Sequence, residues 1–338
     1  MSRLLEFDIA KAICIVLVVM GHYAVDNPSW WITTHDIIYT FHMPLFLFAS
    51  GFIYIAFKKE ESYGHFLLKK VKRLIIPYIT VSVIIVSLKL MSQSGMYVQN
   101  PVTQMSYLKI LYLPEAGYFL WFVWALWWMF CLVPLFKSKG FRIFLFCVAV
   151  ILHMITPYVY LPEVFCIRET ADMLIWFMLG VICFDWSIRI NDVKIAKVGI
   201  SLFAFVAVLF VCGTGGLPSF GMVDWLSSPV GGGILIRLLR PCCGIIFIMT
   251  LSKWISQHKV PNWLLVIAAS SYIIYLFHTT FMGFTKAMLM KFSFIQSMPV
   301  LTILIVVISG VVCPVLLHKL LKFTKVTRFL FGINGVNN

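Results

Sequence analysis

Long apolar segments separated by short polar connections run through the whole chain. A helix needs about 20 largely apolar residues to cross a membrane. Ten segments meet that requirement: residues 7–25, 36–57, 74–92, 118–136, 141–160, 171–186, 198–216, 232–252, 262–283 and 299–321. This pattern predicts an all-α polytopic integral membrane protein with ten transmembrane helices. With no linker-like break between the segments, we expect a single membrane domain over residues 1–338.

The basic residues favour one orientation of these spans. An even number of spans places both termini on the same side of the membrane. With the termini in the cytoplasm, 20 of the 27 Lys and Arg residues fall on the cytoplasmic side and seven on the outer side. Cytoplasmic loops are enriched in Lys and Arg, so we predict cytoplasmic termini and a multi-pass location in the inner (cytoplasmic) membrane.

Composition supports a membrane protein and argues against several other classes. The chain is 61% hydrophobic and 12% charged, whereas soluble domains are about 45–50% apolar and about 25% charged. The net charge of +14 follows the alternation of the loops, so we expect no nucleic-acid partner. Most of the cysteines lie in apolar segments and the vicinal pair Cys242 and Cys243 lacks zinc-ligand spacing, so no metal site is expected.

The first span carries the strongest candidates for catalysis. Asp8, Lys11 and His22 interrupt an otherwise apolar helix, and ionisable residues inside a span are functional candidates by default. At about 100° per residue the three side chains share one face. Lys11 and His22 are separated by about 16 Å along the axis. A structural interpretation competes with this one: Asp8 and Lys11 would pair at the membrane rim, and His22 would bond a neighbouring helix.

The second span begins with Phe41-His42-Met43-Pro44 and continues with Ser50-Gly51-Phe52. Proline is tolerated in a first helical turn, and Ser50 and Gly51 allow helices to approach closely. His42 lies near the level at which the first span should place His22. His42 and Ser50 are therefore candidates for lining a cavity, although each feature alone is more often structural.

These segments resemble the acyltransferase-3 family of membrane O-acyltransferases, particularly its fucose 4-O-acetylase-like branch. The resemblance rests on a basic residue and a histidine with ten residues between them, on the two motifs of the second span, and on four shorter matches. These are Lys69-Lys70-Val71-Lys72-Arg73-Leu74, the following Pro77, Leu120-Trp121-Phe122, and Tyr275-Leu276-Phe277-His278. The family often has arginine at the position of Lys11, which keeps the charge but differs in bidentate geometry.

The resemblance implies transfer of an acyl group, usually acetyl from acetyl-CoA, to a carbohydrate hydroxyl of a cell-envelope or exported glycan. Acetyl-CoA would be a substrate and not a bound cofactor. Its phosphates suit Lys70 and Arg73 in the basic loop, although Lys and Arg also accumulate there for orientation alone. His22 would act as general base or as a nucleophile that forms an acyl-imidazole. Lys11 and Asp8 would orient the site or hold the donor.

Four further residues are candidates for the acceptor site or for lining a cavity. Arg237 and Arg240 share a face of the eighth span, where they could pair with outer carboxylates such as Glu115, Glu163, Glu169 and Asp172, or bind an anionic acceptor. Trp121 could stack a sugar ring or anchor the helix at the interface. His278 could face the same cavity as His22 or bridge two helices.

Two other functions fit parts of the same pattern. A glycan or small-solute transporter or flippase would also place charges inside spans, but transporters often contain two related halves, and no such duplication is visible. A scaffold or sensor would not require ionisable groups aligned along the first span. The sequence does not reveal the oligomeric state.

Overall fold

The all-α prediction is confirmed, because every regular element in the described residues is a helix. The structure is a computed structural model that describes residues 4–23, 28–95, 98, 100–186, 192–212 and 232–333. Its α-helices are α1 (Leu5–Gly21), α2 (Ser29–Tyr39), α3 (His42–Ala56), α4 (Tyr63–Lys70), α5 (Ile76–Ser92), α6 (Ser106–Lys109), α7 (Trp121–Cys131), α8 (Lys139–Ile155), α9 (Ile167–Asp185), α10 (Ile195–Cys212), α11 (Gly232–Ser256), α12 (Asn262–Leu289), α13 (Ser293–Gln296), α14 (Pro299–Leu321) and α15 (Lys325–Leu330). A π-helix covers Val71–Ile75, and short 3₁₀ helices cover Tyr118–Leu120, Val133–Leu135 and Val164–Cys166.

Each of the ten predicted spans overlaps at least one of these helices. Within the described residues, seven helical stretches are long and apolar enough to cross a membrane: Ser29–Ala56, Tyr63–Ser92, Tyr118–Leu135, Ile195–Cys212, Ile236–Ser256, Asn262–Leu289 and Pro299–Leu321. At the other three predicted positions, α1 and α8 have 17 residues each and α9 has 19. The multi-pass architecture therefore holds, while the count of ten and the orientation remain predictions.

The region predicted as the second span contains two helices. Pro28 precedes α2, and a turn at Thr40 and Phe41 separates α2 from α3. Pro44 lies in the first turn of α3, where the backbone N–H that proline lacks would have no helical partner. One helix therefore ends just before Thr40 and another begins just after it. The residues that precede the predicted span are helical as well.

The chain forms two compact units. The first unit comprises Met1–Ala49 and Ser187–Val315. In it, α1 packs against α2, α11 and α12, and α10 packs against α11. Ile9 and Ala12 of α1 are buried against Leu264 and Ala268 of α12. The alanines allow the two helices to approach closely, and this packing fixes where the residue at the end of α1 lies relative to α12.

The second unit comprises Ser50–Trp186 and Leu316–Asn338. Its α8 and α9 are joined by a two-pronged ion pair, in which Arg142 Nε and Nη2 donate to Asp185 at 2.6 and 2.9 Å. Gly51 of α3 lies directly against the backbone carbonyl of Phe177 in α9, where a methyl group would overlap the oxygen. The close helix approach that the sequence suggested for Gly51 is therefore present.

Candidate active site

The end of α1 places His22 in a defined geometry. His22 is the residue that caps α1, and its Nδ1 lies 2.8 Å from the carbonyl oxygen of Val18. Because a carbonyl oxygen only accepts hydrogen bonds, Nδ1 carries the proton and Nε2 of the neutral ring is the basic atom. The Val18 carbonyl and the carbonyl end of α1 are oriented to stabilise the imidazolium that forms when Nε2 takes up a proton.

His278 of α12 lies directly beside His22. The two ring centroids are 4.8 Å apart with an interplanar angle of 81°, an edge-to-face arrangement. The His278 side chain is fully buried, and its Nδ1 donates to the carbonyls of Ile274 at 3.0 Å and Tyr275 at 2.8 Å. The structure therefore brings together two histidines that are 256 positions apart in the sequence, each with its Nδ1 proton committed to its own helix.

His42 belongs to the same neighbourhood. Its Nδ1 donates to the carbonyl of Ile38 at 2.8 Å, and only 3% of the residue is exposed. Its own backbone carbonyl accepts a hydrogen bond from the thiol of Cys14 in α1 at 3.1 Å. The start of α3 is thereby attached to α1 two turns before His22, which places His42 and His22 at the same end of the unit.

Tyr39, the last residue of α2, connects these histidines. Its ring centroid lies 4.8 Å from that of His42 and 6.1 Å from that of His22. On its own helix it stacks on His35 at 4.1 Å, and His35 Nδ1 is 3.1 Å from a carboxylate oxygen of Asp36. We call His22, His35, Tyr39, His42 and His278 the histidine cluster.

The histidine cluster extends from the interior of the first unit to its surface. His278 is fully buried, Tyr39 is 45% exposed, and the His35 side chain is 32% exposed. Gly21 makes the arrangement possible, because a β-carbon there would lie 2.9 Å from Cε2 of Tyr39. Tyr39 and His35 therefore form the exposed side of the cluster, while its inner members are held by helix carbonyls.

Lys11 and Asp8 lie apart from the histidine cluster. Lys11 Nζ is 2.9 Å from Asp8 Oδ1, and the two side chains are 30% and 15% exposed. The rise of an α-helix places Lys11 about 16 Å from His22 along α1. The structure therefore contains the Asp8–Lys11 ion pair of the structural interpretation, and it brings neither residue to His22.

The residues predicted to bind the donor lie in the second unit. Lys70 Nζ lies 3.6 Å from the ring centroid of Phe130 and 5.2 Å from that of Phe66. Lys69 makes a 2.6 Å ion pair with Glu61, and this bond holds the pKa of the Glu61 carboxyl below its usual value. Arg73 lies in the π-helix with an exposed side chain. Of the two predicted donor contacts, Arg73 is the more accessible.

Two other predicted residues, Ser50 and Trp121, also lie in the second unit. Ser50 immediately precedes the close contact at Gly51. Trp121 is the first residue of α7, and its ring lies 6.2 Å edge-on from Phe122. Trp124 packs against Phe165, which has a φ of 56°, and Trp128 donates to the Phe165 carbonyl at 3.1 Å. The geometry gives these tryptophans packing roles, and the sugar-stacking role of Trp121 stays a prediction.

Arg237 and Arg240 lie one turn apart on α11. Arg240 donates to the backbone carbonyl of Cys212, the last residue of α10. A cation at the carbonyl end of a helix is favourable. Within the described residues a helix end is therefore one partner of Arg240. The acceptor-binding role of Arg237 and Arg240 stays a prediction.

The structure records contacts of three of those carboxylates inside the second unit. Ser106 donates to Glu115 at 2.9 Å, and Tyr118 donates to Glu169 at 2.7 Å. Asp172 lies 3.1 Å from His153, a buried histidine for which the sequence offered no role. The last two pairs connect α9 with the segment before α7 and with α8.

Sequence reasoning missed Tyr39, His35 and Asp36. His35 lies between the first two predicted spans, and Asp36 and Tyr39 lie at the very start of the second, where the sequence offered no catalytic motif. A signal was present, because His35 and Tyr39 are four residues apart, and His42 follows three residues later. On a helix such spacings bring side chains together.

The family comparison covers nearly the whole chain. Residues 4–319 match the family model described as an acyltransferase domain, Acyl_transf_3. Comparison with curated proteins gave no match, and neither did comparison with solved structures. The match includes every residue of the histidine cluster, both predicted donor contacts and all seven stretches that could cross a membrane, apart from the last two residues of α14. The chain therefore belongs to the acyltransferase-3 family and is a multi-pass membrane acyltransferase.

Proposed function

We propose that the protein transfers an acetyl group from acetyl-CoA to a hydroxyl of a cell-envelope or exported carbohydrate, with His22 as the residue that performs the proton transfer. The observation that carries this proposal is the geometry of His22. Its Nδ1 proton is fixed on the Val18 carbonyl at 2.8 Å, so Nε2 is the basic atom. A base must present one defined nitrogen to the proton that it removes.

The reaction needs little from the protein besides this base. The acceptor hydroxyl gives its proton to Nε2 of His22 while its oxygen bonds to the thioester carbonyl carbon. The carbon–sulfur bond then breaks, and the coenzyme A thiolate takes the proton from His22. Protons and electrons balance without another reactant. His278 would hold the His22 ring by its edge-to-face contact, a geometry that aromatic rings favour.

A nucleophilic role for His22 uses the same atom. Nε2 would attack the thioester carbon and form an acyl-imidazole, which the acceptor hydroxyl would then cleave. Rapid quenching of the protein with labelled acetyl-CoA, before acceptor is added, separates the two mechanisms. A labelled His22 peptide supports the nucleophile, and an unlabelled protein that still transfers acetyl supports the base.

The basic segment before α5 supports a donor that carries phosphates. Arg73 and Lys72 have exposed side chains, and guanidinium groups bind phosphate with two parallel hydrogen bonds. Lys70 is a weaker candidate, because its ammonium group already lies over the Phe130 ring. We expect Arg73→Ala to raise the KM for acetyl-CoA about tenfold or more, which is the loss of one charge-assisted contact. An unchanged KM removes Arg73 from the donor site.

Mass spectrometry of envelope glycans tests the whole proposal. Glycans from cells that carry the gene should contain an O-acetyl group that is missing from cells without it, and purified protein should transfer label from acetyl-CoA to those deacetylated glycans. Identical glycans from both cells, together with solute counterflow by the protein in proteoliposomes, would contradict acyl transfer and favour a transporter.

A further inference from the structure

A regular series of basic residues begins in the last turn of α14 and continues beyond that helix. Lys319, Lys322, Lys325 and Arg328 are spaced three apart. The three lysines are exposed and Arg328 is half-buried. From residue 225 to residue 338 the sequence contains no Asp or Glu, so no carboxylate of this part of the chain neutralises them. This segment forms a strongly positive surface that begins at the end of a stretch that can cross a membrane.

Large apolar side chains alternate with these basic residues. Phe323 is 81% exposed, Val326 is 66% exposed and Phe329 is 49% exposed. Soluble surfaces carry isolated apolar residues, but a run of three within seven positions beside four cations is characteristic of segments that lie in a membrane interface.

The segment is held firmly in the second unit. Thr324 caps α15 by accepting from the backbone N–H of Thr327 at 3.0 Å. After α15 the N–H of Ile333 donates to the carbonyl of Arg328 at 2.9 Å, with Gly332 at a φ of 63°. This is a helix ending of the Schellman type. Gly332 rests on the backbone at Arg73, since a β-carbon would lie 2.9 Å from the Arg73 carbonyl oxygen.

The geometry of α15 separates a face with mostly exposed side chains from a face that is partly buried. At about 100° per residue, Arg328, Lys325, Phe329 and Val326 follow one another around an arc of roughly 160°. Thr327 occupies the opposite side and is half-buried. The basic stripe and the apolar stripe are therefore adjacent on the same exposed surface, which we call the α15 face.

We propose that the α15 face binds the anionic headgroups of phospholipids at the membrane surface. The cations would contact the phosphates, while Phe329, Val326 and Phe323 would enter the boundary between headgroups and acyl chains. The apolar stripe decides between sources of phosphate. A soluble phosphate compound such as coenzyme A would use the cations but would leave the three apolar side chains in water.

The test uses native mass spectrometry of the full-length, detergent-purified protein in mixed micelles. It measures the affinity of the protein for phosphatidylglycerol and for phosphatidylcholine. Each basic residue near an anionic surface strengthens binding by about fivefold. Replacing Lys319, Lys322, Lys325 and Arg328 by Gln should therefore weaken phosphatidylglycerol binding at least tenfold and leave phosphatidylcholine binding unchanged. Replacing the same lysines by Arg should retain the binding, which also shows that the segment folds.

A matched control removes the same charge elsewhere in the second unit. Lys58, Lys59, Lys137 and Lys139 are exposed, and their replacement by Gln should leave phosphatidylglycerol binding within about twofold of wild type. Equal losses in the two Gln variants would overturn the proposal, because net charge alone would then explain binding. It is also overturned if the α15 Gln variant binds phosphatidylglycerol normally, or if only its KM for acetyl-CoA changes.

The apolar stripe provides an independent arm. Replacing Phe323, Val326 and Phe329 by Ser should weaken phosphatidylglycerol binding. In the wild-type protein, inorganic phosphate should fail to displace phosphatidylglycerol. Full binding by this Ser variant, or displacement of the lipid by inorganic phosphate, would mean that the face recognises phosphate alone and would contradict insertion at the membrane surface.

Discussion

Replacing Gly51 by Ala should destabilise the protein far more than the same change at Gly64, Gly95 or Gly140, where a β-carbon would meet open space. The new β-carbon would overlap the carbonyl oxygen of Phe177 and lie 2.9 Å from its carbonyl carbon. Both are backbone atoms in the middle of α9, so no side-chain rotation relieves the overlap. Phe177 is fully buried and packs against Phe130 with ring centroids 5.8 Å apart.

The expected cost follows from the distance that the helices must move. Carbon atoms pack at about 3.5–4.0 Å, so α3 and α9 would have to separate by roughly 1 Å. Overpacking a close-packed interior costs about 1–3 kcal/mol and occasionally more. The three nearest atoms are backbone atoms of Phe177 and not a flexible side chain that could move away. We therefore expect a loss of stability near 3 kcal/mol, the upper end of this range. The midpoint of thermal unfolding in detergent should fall by several degrees.

Gly199 provides the control for the same chemical change. It lies in the second turn of α10 with no atom near the position of a β-carbon. Alanine there lowers the conformational entropy of the unfolded chain and should stabilise the protein by about 0.5–1 kcal/mol. Unfolding at the wild-type temperature or above for Gly51→Ala, measured beside Gly199→Ala, would show that α3 and α9 are not as close as the structure places them.

Two further substitutions test contacts at the site and in the second unit. Gly21→Ala should push Tyr39 away from His22 and lower kcat for acyl transfer severalfold, with little change in thermal unfolding. Adding Tyr39→Ala to Gly21→Ala should lower kcat no further. Additive losses of kcat in this double-mutant cycle would show that the two residues act independently. Asp185→Asn should destabilise the protein by about 3–5 kcal/mol, because it leaves the largely buried Arg142 charge unpaired. Thermal unfolding measures this loss, and the double variant Arg142→Met with Asp185→Leu should recover most of it. Wild-type stability of Asp185→Asn would contradict the ion pair.

Helix positions were predictable from the sequence because the length of an apolar segment is a local property of the chain. Each predicted span overlaps a helix, and α1 differs from its predicted bounds by a few residues. The exception is the segment before residue 36. Asp36, His35 and the preceding threonines make it polar enough to be interpreted as a connection, yet Pro28 begins a helix there that ends at Tyr39.

Contacts within one helix were also accessible, whereas contacts between helices were not. The Asp8 to Lys11 ion pair follows from a spacing of three residues, which brings side chains together on any helix. The pairing of His22 with His278 depends on how α1 and α12 pack, and no local pattern contains that information. His278 was recognised only through its motif, and the sequence left open whether it faces His22.

Arginine partners show the same limit. Two arginines in a span predict a partner, and carboxylates are the expected choice because they carry the opposite charge. The partner of Arg240 that the structure records is the carbonyl end of α10. A helix end is an electrostatic partner that does not appear as a charged residue in the sequence. Only the three-dimensional arrangement of α10 and α11 reveals it.

The most direct test of the central claim compares His22→Ala with His258→Ala in transfer of labelled acetyl from acetyl-CoA. His258 is a matched control, because its Nδ1 also donates to the carbonyl four residues earlier, at 2.7 Å from Trp254, but its side chain is exposed outside the histidine cluster. Both variants should insert and unfold like wild type. We predict that His22→Ala loses transfer by at least a hundredfold, the typical contribution of a general base, and that His258→Ala keeps it. Wild-type transfer by folded His22→Ala would contradict the proposed role of His22.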